Sequence, residues 1–178
     1  SDFAVHEGDG GKLGAALRDL RQLGYRAVQW LQLQNGQHRI SFAYVANTRP
    51  ETVTIDIVLG KHSGIPARKL VLQRKRAGLL WAARPEDTFD CLLVEVALYG
   101  MASKTEESHL KCLVQELGSR SAEERADELF GRGWGKEIVA GCILGLRAEL
   151  VAKLHEHRRR RGIGKSPLHF RVIRWGRG

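Results

Sequence analysis

The sequence predicts an α+β fold: an N-terminal helix, an antiparallel or mixed sheet of about four to five strands, and a helical C-terminal half. Apolar residues recur at spacings of three and four over residues 11–23, the period of an amphipathic helix. Two β-type stretches then flank Asn35-Gly36, a strong hairpin signal. Helical periodicity returns beyond residue 105. With 43% hydrophobic and 28% charged residues among 178, the composition excludes a wholly disordered, collagenous or coiled-coil chain.

Each element follows from its local pattern. The hairpin strands are expected at residues 28–33 and 39–45, and residues 52–59 alternate cleanly as a third strand. Residues 69–76 are interpreted as a further strand, with a helix as the alternative, and the apolar run 89–99 is interpreted as a buried strand. The predicted helices cover residues 106–117, 122–130 and 136–161, and Ser121 with Glu124 is expected to form a capping box on the second of them.

The pattern favours one α+β domain over residues 1–161, followed by a basic tail or added strand over residues 162–178. No apolar run is long enough for a transmembrane helix, and no signal peptide is visible at the N-terminus. The three cysteines are far apart and form no CxxC pair, so we expect buried thiols and an intracellular, reducing location, cytoplasmic or nuclear.

The positive charge is concentrated in two blocks. Residues 153–178 carry nine basic side chains and one acid, which accounts for +8 of the net charge of +9. Residues 61–84 hold seven bases and no acid, whereas residues 85–128 hold eleven acids and four bases. This separation is typical of a directed anion-binding surface.

The first hypothesis is therefore a nucleic-acid-binding domain that contacts phosphates through the two basic blocks. This hypothesis requires positive charge on the surface but no precise arrangement of side chains. The residues expected to contact nucleic acid are Arg74, Arg76, Arg158, Arg159, Arg160, Arg161, Lys165, Arg171, Arg174 and Trp175.

A second hypothesis is catalytic. Asp56 lies on the polar face of one predicted strand, while Gln73 and Lys75 share a face of the next. If these strands pair, the three side chains converge. Asp56 and the amide oxygen of Gln73 would then hold a Mg²⁺ ion, and Lys75 would stabilise developing negative charge at a phosphate.

This order of helix, hairpin, acid-bearing strand and strand with a (D/E/Q)-x-K pattern resembles the restriction-endonuclease-like PD-(D/E)xK nuclease superfamily over residues 11–99. The resemblance implies a metal-dependent nuclease with Asp56 as metal ligand and Lys75 assisting hydrolysis. Gln73 stands where most members of that superfamily have an acid.

A third hypothesis is a charge-driven assembly module, in which the acidic middle of one copy meets the basic ends of another to form a homo-oligomer. A metal site at His155 and His157 is not expected, because helical residues two apart point in nearly opposite directions.

Overall fold

The structure of the chain is a computed structural model. Its described residues form two compact units, one within residues 1–72 and the other within residues 73–165. The prediction of one domain over residues 1–161 stays a prediction, and the predicted tail falls almost entirely outside the described residues. The residues described are 2–5, 10–32, 37–44, 51–59, 61–62, 65–72, 74–77 and 80–162.

The first unit is built around a four-stranded sheet. Its elements are β1 (Asp2–Val5), α1 (Gly10–Gln22), β2 (Tyr25–Gln32), β3 (Gln37–Tyr44) and β4 (Glu51–Leu59). The strand order is β1-β4-β3-β2, with β1 parallel to β4 and the other pairs antiparallel. The predicted first helix, the hairpin strands and the strand at 52–59 are confirmed.

The core of this unit lies between α1 and the sheet. Ile40 and Phe42, two apart on β3, are almost fully buried. The apolar stripe of α1 packs against them through Leu13, Leu17 and Leu20. Residues two apart on a strand, and three or four apart on a helix, lie on the same face, so the buried residues are those that the sequence pattern predicts.

Three short elements complete the first unit: β5 (Lys61–His62), β6 (Ile65–Pro66) and α2 (Ala67–Leu72). Over the first half of residues 69–76 the strand interpretation is therefore wrong and the helix alternative is confirmed. Residues 67–72 are mostly good helix formers, and Pro66 directly precedes them, a position where proline is compatible with a helix start. A run of six such residues gives too little periodicity to separate the two states.

The second unit begins with a small hairpin and continues as a helical bundle. The hairpin strands are β7 (Lys75–Ala77) and β8 (Leu80–Ala82). The helices are α3 (Pro85–Tyr99), α4 (Lys104–Leu117), α5 (Ser119–Phe130), α6 (Gly135–Leu144) and α7 (Ala148–Arg161). The α+β class is confirmed.

The buried strand predicted at residues 89–99 is wrong, because these residues form most of α3. Nine residues of α3 are buried, so the helix has no wide polar face and its 3.6-residue period is hidden. Its ends do carry helix signals. Pro85 opens the first turn, which is acidic, and Gly100 closes the helix with a left-handed φ of 65°.

Two further predictions about the helices need correction. The helix expected over residues 136–161 is two helices, since Gly145 breaks it with a φ of 108°. Ser121 lies inside α5 rather than at its start. The capping box is instead on α4, where Ser103 Oγ accepts from the Glu106 backbone N–H at 3.2 Å and Glu106 accepts from the Ser103 N–H at 2.6 Å.

One hydrophobic core joins the five helices of the second unit. Phe89 of α3, Leu110 of α4, Phe130 of α5, Ile138 of α6 and Leu154 of α7 are completely buried in it. Leu146, Leu150 and Leu154, each four residues apart, bring α7 and the turn before it into this core. The position of α7 is thus fixed by its apolar stripe, and that in turn sets where its basic last turn points.

Candidate nucleic-acid interface

The candidate interface is the last turn of α7, which ends in four consecutive arginines. Gly162 terminates the helix in a left-handed conformation with a φ of 71°, and its N–H donates to the Arg158 carbonyl at 2.9 Å. Basic side chains are favourable here because the carbonyl end of a helix carries partial negative charge. The helix end therefore stabilises the cluster of positive charge.

Two of the arginines point outward and share one carboxylate. Arg159 Nε lies 3.4 Å from one oxygen of Glu156, and Arg160 Nε donates to the other at 2.8 Å. The hydrogen bond from Arg160, followed by the charge of Arg159, lowers the pKa of Glu156. The Arg159 and Arg160 side chains are 70% and 77% exposed. Two guanidinium groups against one carboxylate leave a net positive, accessible surface.

Arg161 is also exposed, and its guanidinium lies beside the turn that follows α5. A Cβ on Gly131 would lie 3.2 Å from Arg161 Nη1, and Gly131 has a positive φ of 101°. Only glycine meets both demands without strain. The turn after α5 thus leaves room for the Arg161 side chain.

Arg158 differs from its three neighbours because it is buried, with 8% of its surface exposed. Its Nε has no hydrogen-bond partner, and burial lowers the pKa of its guanidinium. The signal was present in the sequence, because Arg158 continues the four-residue spacing of Leu150 and Leu154. Arg158 therefore does not share the outward surface of Arg159 and Arg160.

His155 and His157 hold the last turns of α7 against two other helices, a role that sequence reasoning missed. His155 Nδ1 donates to the Ala97 carbonyl of α3 at 2.9 Å, and His157 Nε2 donates to the Phe130 carbonyl of α5 at 2.6 Å. Both acceptors lie among the last four carbonyls of their helices, which lack partners within the helix. The His157 ring also contacts Trp134, with centroids 4.8 Å apart. No sequence pattern predicts these contacts, because the acceptors are backbone carbonyls of segments that are distant in the sequence.

Several other basic residues of the second unit are paired. Lys153 Nζ lies 3.1 Å from Glu137. Arg84 Nε lies 3.1 Å from the buried Asp87, whose hydrogen bond raises the pKa of Arg84. Arg74, which directly precedes β7, and Arg76 within β7 are exposed. The exposed members of the predicted set within the described residues are therefore Arg74, Arg76, Arg159, Arg160 and Arg161.

Four residues predicted to contact nucleic acid lie outside the described residues: Lys165, Arg171, Arg174 and Trp175. Their involvement stays a prediction.

The two described residues of the catalytic hypothesis lie on separate elements. Asp56 is on β4, between Asp2 of β1 and Arg39 of β3 in the strand register. Lys75 begins β7, opposite Ala82, and Gln73 lies outside the described residues. The pairing on which this hypothesis depends is not formed by the described strands, because β1 and β3 occupy both edges of β4, and β7 pairs with β8 in another sheet. The catalytic role of these residues stays a prediction.

The acidic residue Asp90 of α3 has a structural role in the second unit. Asp90 is buried and forms a two-point ion pair with Arg125 of α5, with Nε donating to Oδ1 at 2.9 Å and Nη2 donating to Oδ2. This pair joins two helices of the core, so the carboxylate has a structural partner. Among the side chains that the structure describes, no group of three His, Cys, Asp or Glu residues could hold a metal ion.

The cysteine prediction holds for two of the three residues. Cys91 and Cys142 are buried free thiols, whereas Cys112 is exposed on α4. Burial raises the pKa of Cys142 to about 12, so this thiol is not a nucleophile at neutral pH.

No described helix has the length and apolar character needed to cross a membrane. No protein-family model matches the chain, and no curated protein or solved structure is significantly similar to it. A functional assignment therefore rests on the chain's own residues.

Proposed function

We propose that this chain is a nucleic-acid-binding domain that contacts the phosphate backbone through the outward arginines of α7. The observation that carries the proposal is the imbalance at the helix end. Arg159 and Arg160 are exposed and share the single carboxylate of Glu156. Fixed positive charge of this kind attracts a polyanion and releases the counterions condensed on it.

The surroundings of these arginines support the proposal. The positions of the last turns of α7 are set by the buried Leu154 and by the hydrogen bonds of His155 and His157 to backbone carbonyls. A rigid helix end loses little conformational entropy when it binds. The exposed Arg74 and Arg76 of the other basic block provide further phosphate contacts in this proposal.

The contacts proposed are to phosphates rather than to base edges. Arginine forms paired hydrogen bonds with phosphate oxygens, and such contacts position a protein on nucleic acid without reading its sequence. We therefore expect binding that varies little with base sequence and weakens steeply with salt.

The test is the salt dependence of binding to a short fluorescein-labelled duplex, measured by fluorescence anisotropy. In the double variant Arg159→Gln/Arg160→Gln we expect the slope of log K against log salt to fall by about 2, since each lost phosphate contact removes about 0.9.

A matched control removes two positive charges from the acidic region instead. Lys111 of α4 is exposed, and Arg120 of α5 pairs one-to-one with Glu124 at 3.1 Å. Lys111→Gln/Arg120→Gln should leave the slope unchanged. Equal slopes in wild type and the Arg159/Arg160 variant would overturn the proposal, as would equal losses in both variants.

A further inference from the structure

The last turn of α7 has an inner face that the proposed nucleic-acid contacts do not use. Arg158 and Arg161 are three residues apart, so they lie about 60° apart around the helix and one turn along it. His155 and His157, which contact α3 and α5, lie on either side of them around the helix. Glu156 is two residues from Arg158 and lies roughly 160° away around the axis.

Neither inner arginine has a carboxylate partner among the described residues. Glu156 is occupied by Arg159 and Arg160. The two buried acids of the second unit are also occupied, Asp87 by Arg84 and Asp90 by Arg125.

An unpaired, buried guanidinium is unfavourable because it has lost hydration without gaining a counter-charge. Arg158 is more than nine-tenths buried, and its Nε lacks any hydrogen-bond partner. The lowered pKa of Arg158 has the same origin. An anion bound beside the guanidinium would supply the missing counter-charge.

The charge and shape of the two groups select the anion. A phosphate monoester carries about −1.5 to −2 at neutral pH and has three acceptor oxygens, which matches two guanidinium groups. A planar guanidinium can donate two parallel hydrogen bonds to such oxygens. Gly131 leaves the space beside Arg161 Nη1 free of a side chain.

We propose that Arg158 and Arg161 form a binding site for a single phosphate group on the inner face of the last turn of α7. The phosphate comes from a small phosphorylated molecule or from the terminal phosphate of a nucleic acid. This site is separate from the outward arginines and does not depend on the proposed function.

The test uses inorganic phosphate as the probe, titrated into the full chain by calorimetry at constant ionic strength with chloride as the reference. Wild type should bind phosphate saturably. Arg158→Met, which keeps the apolar stem, should weaken binding by about tenfold or more, a difference of about 1.4 kcal/mol or more. The matched control Arg120→Met removes one exposed positive charge from α5, away from both proposed binding surfaces, and should bind as wild type does.

A second variant, Arg161→Gln, keeps the test valid if Arg158→Met does not fold, because Arg161 is exposed. It should also lose phosphate binding. Absence of saturable binding by wild type would overturn the proposal, and so would undiminished binding by Arg161→Gln or by a folded Arg158→Met.

Two further ligands distinguish the sources of the phosphate. A nucleoside monophosphate that binds more tightly than inorganic phosphate indicates a small phosphorylated ligand. A 5′-phosphorylated oligonucleotide that binds more tightly than its dephosphorylated form indicates a terminal phosphate. Either preference supports the site if Arg158→Met abolishes it, and a preference that survives in folded Arg158→Met contradicts it.

Discussion

At the scale of single residues, the hydrogen bond between Trp30 and His38 fixes the protonation state of a histidine. The Trp30 indole N–H donates to His38 Nδ1 at 2.9 Å, so this nitrogen must be unprotonated and the ring proton must be on Nε2. Burial lowers the pKa of His38 below its ordinary value of 6.5. Both effects favour neutral histidine in the folded protein.

The lowered pKa predicts a pH-dependent loss of stability. The unfolded chain takes up a proton on His38 at higher pH than the folded protein does, so the stabilisation is complete above pH 6.5 and is lost as the pH falls through the lower, folded pKa. NMR titration should show the Trp30 indole N–H signal and the His38 ring signals shifting together below pH 6.5.

Asparagine at position 38 offers a matched variant, because its side-chain oxygen can accept from Trp30 and does not titrate. In His38→Asn the Trp30 signal should stay constant through the same pH range. A His38 pKa at or above 6.5 in the folded protein would contradict the interpretation.

Gly135 occupies a position where only glycine fits without a shift of the backbone. A Cβ at this position would lie 2.3 Å from the Glu123 carbonyl oxygen, and the Gly135 N–H donates to Asp127 at 2.6 Å. We expect Gly135→Ala to lower the free energy of unfolding by about 3 kcal/mol or more, because the backbone of α5 or α6 must move. Denaturant titration of wild type and Gly135→Ala measures this difference in the free energy of unfolding.

The control for Gly135→Ala is Gly11→Ala in α1, where no atom lies within 4 Å of the added Cβ. There alanine should raise stability by up to about 1 kcal/mol, because it favours the helix. If the two substitutions changed the free energy of unfolding equally, the close contact between Gly135 and the Glu123 carbonyl would be contradicted.

At the scale of elements, α7 is held to α3 and α5 by backbone-directed histidines. His157→Phe keeps a ring against Phe130 and Trp134 but loses the hydrogen bond to the Phe130 carbonyl. We expect a loss of about 1 kcal/mol in unfolding free energy, measured by denaturant titration. The exposed His109 of α4 provides the control, since His109→Phe should change stability little. A His157→Phe protein as stable as wild type would contradict this contact.

The ion pair between Asp90 and Arg125 links α3 to α5 in the same way. Asp90→Asn removes one charge and leaves the partly buried Arg125 without its counter-charge. We expect a loss of about 3 kcal/mol. The double variant Asp90→Leu/Arg125→Met should be more stable than Asp90→Asn, because both buried charges are gone. A double variant less stable than the single one would contradict this account.

The accuracy of the sequence predictions also depends on the element. The amphipathic α1, the hairpin strands and β4 are predictable because one face of each is apolar. The helix α3 was mistaken for a strand because it is buried on several sides, which removes the periodicity. The break at Gly145 was missed because the apolar stripe continues on both sides of it.

The candidate site was predictable in its charge but not in its geometry. Composition and spacing identify the arginines of α7, and the spacing from Leu154 places Arg158 inward. Nothing in the sequence specifies which helices His155 and His157 contact. The sequence does not decide whether β4 pairs with β7, because strand order depends on contacts between distant segments, which local patterns do not encode.

At the scale of the whole molecule, the chain separates its charge along the sequence. The acid-rich residues 85–128 include α3, α4 and most of α5, whereas the bases are concentrated in residues 61–84 and 153–178. Within the described residues, local pairing neutralises Lys153 and Arg84. The excess that remains at Arg159 and Arg160 is the basis for proposing a polyanion as the partner.

The location of bound nucleic acid tests this claim most directly. Backbone amide chemical shifts should be recorded while a short duplex is titrated into the full chain. We expect the largest shifts at residues 156–162, smaller ones at residues 74–77, and little change in α4 and α5. Shifts confined to other surfaces, or no shifts at a duplex concentration that saturates anisotropy, would contradict it.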